Sequence, residues 1–124
     1  MRKQIAMVSV VLAALVGCTK DNAEEMYPVD PGVTCDTVNV TYSATVKPVV
    51  DARCATAGCH ATAAPTGINL STHSGMAAIA ASGKLLSAIN HDGNASFMPQ
   101  GQSKLDDCTI AQITKWVNDG APNN

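Results

Sequence analysis

Two cysteines and a histidine stand close together in the segment CATAGCH, residues 54–60. A histidine directly after a cysteine, with a second cysteine shortly before it, is typical of covalently attached haem. The two cysteines form thioethers to the vinyl groups, and the neighbouring imidazole binds the iron from one face. The usual spacing is C-x-x-C-H, whereas this chain has C-x-x-x-x-C-H. The segment therefore predicts haem attachment with a lengthened spacing.

The same three residues allow two other interpretations. A disulfide between Cys54 and Cys59 would close a short loop and leave His60 as an exposed polar side chain. Two cysteines at this spacing also occur among zinc ligands. No second ligand pair follows in the sequence, and an oxidising compartment would favour a disulfide over free thiolates.

Residues 1–17 have the pattern of an export signal. Two basic residues near the start precede a short apolar run over residues 5–16, which is too short for an ordinary membrane span. The run ends in LVGC, residues 15–18, which resembles the lipobox of bacterial lipoproteins. We therefore expect Cys18 to be lipidated and to anchor the exported protein to a bacterial membrane, on the periplasmic side or the cell surface. An ordinary secretory signal is the alternative.

Export also changes how the remaining cysteines are interpreted, because disulfides persist in oxidising compartments. Apart from Cys18, the chain contains Cys35, Cys54, Cys59 and Cys108, which allow three pairings. If Cys54 and Cys59 attach haem, Cys35 and Cys108 remain as the one natural bridge. It would close a long loop and stabilise the fold by about 4 kcal/mol in the chain-entropy picture.

The composition is that of one small domain with little bulky apolar material. The whole chain contains one Phe, one Trp and two Tyr, and its formal net charge is −2. A core so poor in large side chains normally needs a covalent crosslink or a bound cofactor to stabilise it, and a haem macrocycle would do so. The chain has no basic patch with interleaved aromatic residues, so the sequence argues against a nucleic-acid partner.

The elements that position the haem motif begin after a linker. Residues 18–36 are polar, acidic and interrupted by proline, which predicts a flexible tether. Residues 37–42 alternate apolar and polar side chains, which predicts a short extended segment. Ser43 is the predicted cap of a helix that runs to about Arg53 and leads directly into Cys54.

Apolar residues recur at helical spacing in three further segments. A loop over residues 91–104, which contains Met98, separates the last two. No strong pair of strands is present, so the predicted fold class is mostly α, with three to four short helices. The three later helices are one from Ser71 or Thr72 through Ala81, one over Lys84–Asn90, and one that Asp106 or Asp107 caps and Gly120 ends.

The order of these features resembles the small class I cytochrome c domains of exported bacterial proteins, over residues 37–124. The departure from that family's pattern is the spacing between Cys54 and Cys59. The matching motifs are KPVVD at residues 47–51, Cys59-His60, GINL at 67–70, FMP at 97–99 and WVNDGAP at 116–122.

The resemblance implies a cytochrome c-like fold around one covalent haem c. It implies thioethers at Cys54 and Cys59, with His60 as the proximal iron ligand and Met98 as the distal one. The extra length lies on the side of Cys54, where Gly58 can take a positive φ. A bulge there would let Cys54 reach its vinyl group.

For the distal ligand, His91 and His73 are the alternatives to Met98, and a second histidine would give a lower reduction potential. Pro99 favours an extended conformation of Met98, which would project the sulfur into a cleft. Trp116 is expected in the contact between the first and last helices or against the haem edge.

The function implied is one-electron transfer by a lipid-anchored, single-haem cytochrome whose partners are redox proteins. Six-coordinate iron has no open position for a substrate, which argues against an enzyme. One alternative is a haem-free lipoprotein with two disulfides, Cys54–Cys59 and Cys35–Cys108, that serves as an interaction or structural module. Another keeps the haem with five-coordinate iron, as in a gas sensor or a peroxidase-like site.

Overall fold

The structure, a computed structural model, describes residues 34–62 and 65–124. Within these ranges it contains four α-helices and no strand, which confirms the mostly α fold class. The predicted signal peptide, the lipidated Cys18 and all of the tether except residues 34–36 lie outside the described residues. None of the helices in the described part is long and apolar enough to cross a membrane.

The first helix begins as a single π-helical turn, Tyr42–Val46, and continues as α1, Lys47–Arg53. Thr41 caps it, because its backbone is extended and its hydroxyl oxygen accepts the N–H three residues later at 3.2 Å. The prediction of Ser43 as the cap was therefore wrong by two residues. Pro48 is the second residue of α1, directly after the π-helical turn, and its ring disfavours a regular α turn just before it.

The residues before this helix form a turn rather than a continuous extended segment. The Asp36 carboxylate accepts the backbone N–H groups of Val38 at 2.8 Å and Asn39 at 3.2 Å. These hydrogen bonds favour the ionised form and hold the pKa of Asp36 below its ordinary value. Val38 is 83% exposed although Val40 is buried. The predicted alternation was wrong at Val38, because the Asp36 side chain closes a turn there.

Helix α2, His73–Ala81, begins at the cap residue Thr72, as the sequence predicts. The Thr72 hydroxyl oxygen accepts the N–H of Gly75 at 3.2 Å. Gly75 also lies against the backbone of Asn69, so closely that an added Cβ would stand 1.8 Å from the Asn69 carbonyl oxygen. A glycine is required here, because it lets α2 approach the segment that follows the cysteine–histidine motif.

Helix α3, Lys84–Asn90, has the predicted bounds and follows Gly83, whose φ is +75°. Its buried apolar side chains include Leu85 and Ile89. It ends at His91, which has φ 60° and ψ 41°. This left-handed conformation usually belongs to glycine at a helix end, so His91 is an unusual occupant.

Helix α4, Asp107–Asn118, is capped by Asp106, one of the two predicted caps. The Asp106 carboxylate accepts the hydroxyl of Thr109 at 2.7 Å and its backbone N–H at 2.9 Å. These bonds lower the pKa of Asp106. The buried face of α4 carries Ile110, Ile113 and Trp116.

An aromatic cluster lies where the first turn, α2 and α4 pack together. The ring of Trp116 is fully buried and stacks on Tyr42 with centroids 5.6 Å apart. The ring of His73 meets Tyr42 edge-on at 4.8 Å. The Trp116 indole N–H donates to the carbonyl of Pro122 at 2.9 Å. Trp116 therefore belongs to the contact between the first and last helices, one of its two expected positions.

The segment before the first helix is tied to α4 by a disulfide between Cys35 and Cys108, with an S–S distance of 2.04 Å. Beside it, the side-chain amide of Gln112 donates to the carbonyl of Asp36 at 2.9 Å. This is the disulfide that we predicted for the case in which Cys54 and Cys59 attach haem.

Candidate functional site

An open cleft of about 790 Å³ lies between the cysteine–histidine segment, α3 and the loop over residues 91–104. Its volume falls in the range of about 300–1,000 Å³ in which proteins bury small ligands and cofactors. All four residues predicted to hold haem line this cleft: Cys54, Cys59, His60 and Met98. Much of the rest of its wall is apolar and includes Ile68, Leu70, Ile79, Leu85 and Ile89.

The lengthened spacing between the cysteines is accommodated by a closed loop. The N–H of Cys59 donates to the carbonyl of Thr56 at 3.0 Å, and Gly58 has a φ of +80°. The N–H of His60 donates to the carbonyl of Cys54 at 3.1 Å. The two ends of the motif therefore meet at a backbone hydrogen bond, and the added residues are taken up in the loop between them.

His60 is buried, with 9% of its surface exposed, and its ring is held by its own neighbours. Its Nδ1 lies 3.1 Å from the carbonyl oxygen of Ile68 and 3.3 Å from the hydroxyl of Thr66. A carbonyl oxygen only accepts, so Nδ1 carries the proton and the lone pair is on Nε2. The carbonyl of His60 accepts the N–H of Leu70 at 2.9 Å, which fixes the backbone as well. A histidine bound in this way is preorganised to ligate a metal through Nε2.

The two cysteines of the motif differ in environment. Cys54 is partly buried, and burial raises the pKa of its thiol. Cys59 is exposed, and both are free thiols. The Cys54–Cys59 bridge of the haem-free interpretation is therefore not formed in the structure. Residues 34–62 and 65–124 contain no group of three or more His, Cys, Asp or Glu side chains that could hold a metal ion.

Met98 is half-buried in the cleft, and its backbone is fixed on both sides. Its N–H donates to the carbonyl of Ala88, near the end of α3, at 3.0 Å. Its carbonyl accepts a hydrogen bond from Nε2 of His91, also at 3.0 Å. The loop is thereby attached to α3 at a residue that lines the cleft.

The two alternative distal ligands are engaged elsewhere. The ring of His91 stacks on Phe97, with centroids 4.6 Å apart and planes 7° from parallel, and its Nε2 is used by Met98. His73 lies in the aromatic cluster, where its Nε2 donates to the carbonyl of Ala121 at 2.9 Å. Neither histidine is among the residues that line the cleft.

The charged residues that line the cleft, within the described ranges, are the cations Arg53 and Lys84. The guanidinium of Arg53 is held in place, since it donates to the side chain of Gln102 at 3.0 Å and to the carbonyl of Ser103 at 3.1 Å. An acidic ligand group would be favoured beside it. Arg53 was not predicted as a functional residue; the signal for it in the sequence is its place directly before Cys54, since it is the only arginine besides Arg2.

Comparison with known proteins adds no relative: no protein-family model, curated protein or solved structure matches the chain.

Proposed function

We propose that the protein is a c-type cytochrome that carries one electron at a time between redox partner proteins. One haem c would be attached through Cys54 and Cys59. The observation that carries the proposal is that these cysteines, His60 and Met98, which are up to 44 residues apart in the sequence, line a single cleft. The cleft also has the volume and the apolar wall that a macrocycle requires.

The residues of the cleft fit the group. Nε2 of His60 and the thioether sulfur of Met98 would be the protein ligands of the iron, and the cysteines would supply the covalent bonds. Arg53 and Lys84 would offset the charge of the acidic side groups of haem. Bound haem supplies a reversible one-electron couple at its iron.

The chain's own groups would tune and protect that couple. The carbonyl of Ile68 holds the proton on Nδ1 of His60 and increases the basicity of the ligating nitrogen. A thioether ligand from Met98 favours a higher potential than a second imidazole would. The apolar wall would limit access of water to bound haem. With two protein ligands on the iron, no position would be open to a substrate, which favours a carrier over an enzyme.

The proposed location follows from the N-terminal sequence. A lipid on Cys18 would hold the domain at a bacterial membrane, on the periplasmic side or at the cell surface. There the domain would exchange electrons with membrane-associated redox proteins.

The test is to produce the full chain in bacteria together with a haem-attachment system. We expect an intact mass equal to that of the processed protein plus one haem, and a reduced visible spectrum with the sharp bands of a low-spin c-type haem. The haem should remain with the polypeptide after denaturation in acid and organic solvent, since thioethers survive that treatment.

Two variants sharpen this test. Replacement of both Cys54 and Cys59 by serine should abolish covalent attachment. The matched control, Cys35→Ser with Cys108→Ser, also removes two cysteines but should retain the haem. A colourless wild-type protein with the mass of the polypeptide alone would overturn the proposal.

A further inference from the structure

The end of helix α3 carries a residue that the haem motif does not explain. His91 occupies a left-handed position, with φ 60°, where glycine would be free of strain. A non-glycine residue there has a conformational cost, and such costs persist where the side chain has a role. The contacts of the imidazole ring indicate what that role is.

Both contacts of the ring are made with the loop that supplies Met98. Nε2 donates to the Met98 carbonyl at 3.0 Å, and the ring stacks on Phe97, the preceding residue, at 4.6 Å. Phe97 is itself 52% exposed, so little else covers it on its outer side. The loop is therefore held by the imidazole at two consecutive residues.

The rest of the α3 end is arranged around the same loop. The carbonyl of Ala88, three residues before His91, accepts the N–H of Met98 at 3.0 Å. Just beyond His91, the Asp92 carboxylate accepts the hydroxyl of the buried Ser87 and the backbone N–H of Asn94 at 2.9 Å. These hydrogen bonds fix the backbone on either side of His91.

We propose that His91 is a positioning residue for the distal ligand: its ring holds the Phe97–Met98 backbone so that the thioether of Met98 stays in the cleft. The inference rests on the proposed function. In this role His91 does not bind the iron. The sequence had allowed it as an alternative distal ligand.

Two substitutions distinguish a role of His91 in positioning Met98 from a role in ending helix α3. His91→Gly suits the left-handed backbone but removes the ring. His91→Gln keeps an N–H donor at similar reach but fits the backbone less well. If His91 has only a structural role, His91→Gly should be milder than His91→Gln in every assay. If His91 positions Met98, the His91→Gly protein should be at least as stable as wild type, yet should keep Met98 on the iron less well.

The measurement is a titration of the oxidised, haem-loaded full chain with imidazole, which competes with Met98 for the iron, alongside urea unfolding of each variant. Loss of one hydrogen bond should raise the apparent imidazole affinity of His91→Gly about five-fold. His91→Gln should lie closer to wild type, although it unfolds at lower urea. Met98→Ala gives the affinity with no competing ligand.

The outcomes distinguish this inference from the proposed function. An imidazole affinity of His91→Gly equal to wild type, or lower than that of His91→Gln, would show that His91 does not position Met98, and the cytochrome proposal would stand. If Met98→Ala binds imidazole no more tightly than wild type, Met98 is not the ligand and the inference fails with it. A wild-type protein that carries no haem would refute both the cytochrome proposal and the role of His91.

Discussion

Gly75 offers a direct test of how the fold supports the candidate ligand His60. In a helix interior, Gly→Ala normally stabilises a protein by about 1 kcal/mol, because alanine loses less backbone entropy on folding. Here the new Cβ would stand 1.8 Å from the carbonyl oxygen of Asn69, whereas real contacts of this kind do not fall below 3.0 Å. The Asn69 backbone or α2 therefore has to move by about 1 Å.

The expected effect of Gly75→Ala is destabilising. Overpacking costs about 1–3 kcal/mol, and the upper half of that range applies because the obstacle is backbone. After the gain in helix propensity, a net loss of about 1–2 kcal/mol remains. Asn69 lies between Ile68 and Leu70, which hold the ring and the backbone of His60, so the shift should also disturb that side chain.

The assay is urea unfolding followed by the fluorescence of Trp116, the single tryptophan of the chain, which is fully buried. Ala78→Gly, at an exposed position of the same helix, is the matched control and should cost about 1 kcal/mol through propensity alone. If Gly75→Ala proves more stable than wild type by the amount that Ala78→Gly loses, the close approach to Asn69 does not exist and the reasoning is wrong.

Three further predictions concern the ligand, the cap and the thiols. Met98→Ala should lower the reduction potential of the loaded protein and shift its Soret band, measured by redox titration; an unchanged potential would exclude Met98 as a ligand. The pKa of Asp106 is lowered in the folded state, so its contribution to stability is present at neutral pH and is lost as the pH falls below about 4. Asp106→Asn, which retains a cap, should flatten that loss in acid-unfolding curves, and a slope equal to wild type would contradict this. In the haem-free full chain, iodoacetamide should modify Cys59 before Cys54, because Cys59 is exposed and burial raises the pKa of Cys54; peptide mass mapping at partial labelling gives the order, and faster labelling of Cys54 would refute it.

Much of the helical framework could be predicted from the sequence, because its signals are local. Thr72 and Asp106 are polar caps directly before apolar periodic segments, and Gly83 separates two helices at a positive φ. At the first helix the local signal was ambiguous and the predicted cap was wrong. Thr41 and Ser43 are both plausible caps, and only the packing of Tyr42 into the core decides for Thr41.

The candidate site could likewise be predicted only in part from the sequence. Residue types and spacing identified the two cysteines and His60 as candidates, and the resemblance to class I cytochrome c domains added Met98. The groups that hold them could not be predicted, because they act through backbone carbonyls or through contacts distant in sequence. The carbonyl of Ile68 carries no residue-specific signal, and the partners of Arg53 lie about 50 residues away.

The closed loop between Cys54 and Cys59 has a consequence for the length of the cysteine–histidine motif. A backbone hydrogen bond joins Cys54 to His60, and Ala55 packs against the core, whereas Ala57 and Gly58 are exposed at the far side of the loop. A change in the number of residues at that exposed side would alter the size of the loop and leave the hydrogen bond in place. Under the proposed function, the step from Cys59 to His60 would have no such freedom, since neighbouring residues would serve the porphyrin and its iron. Under the proposed function, a sequence search that fixes the interval between the two cysteines at two residues would therefore miss haem sites of this length.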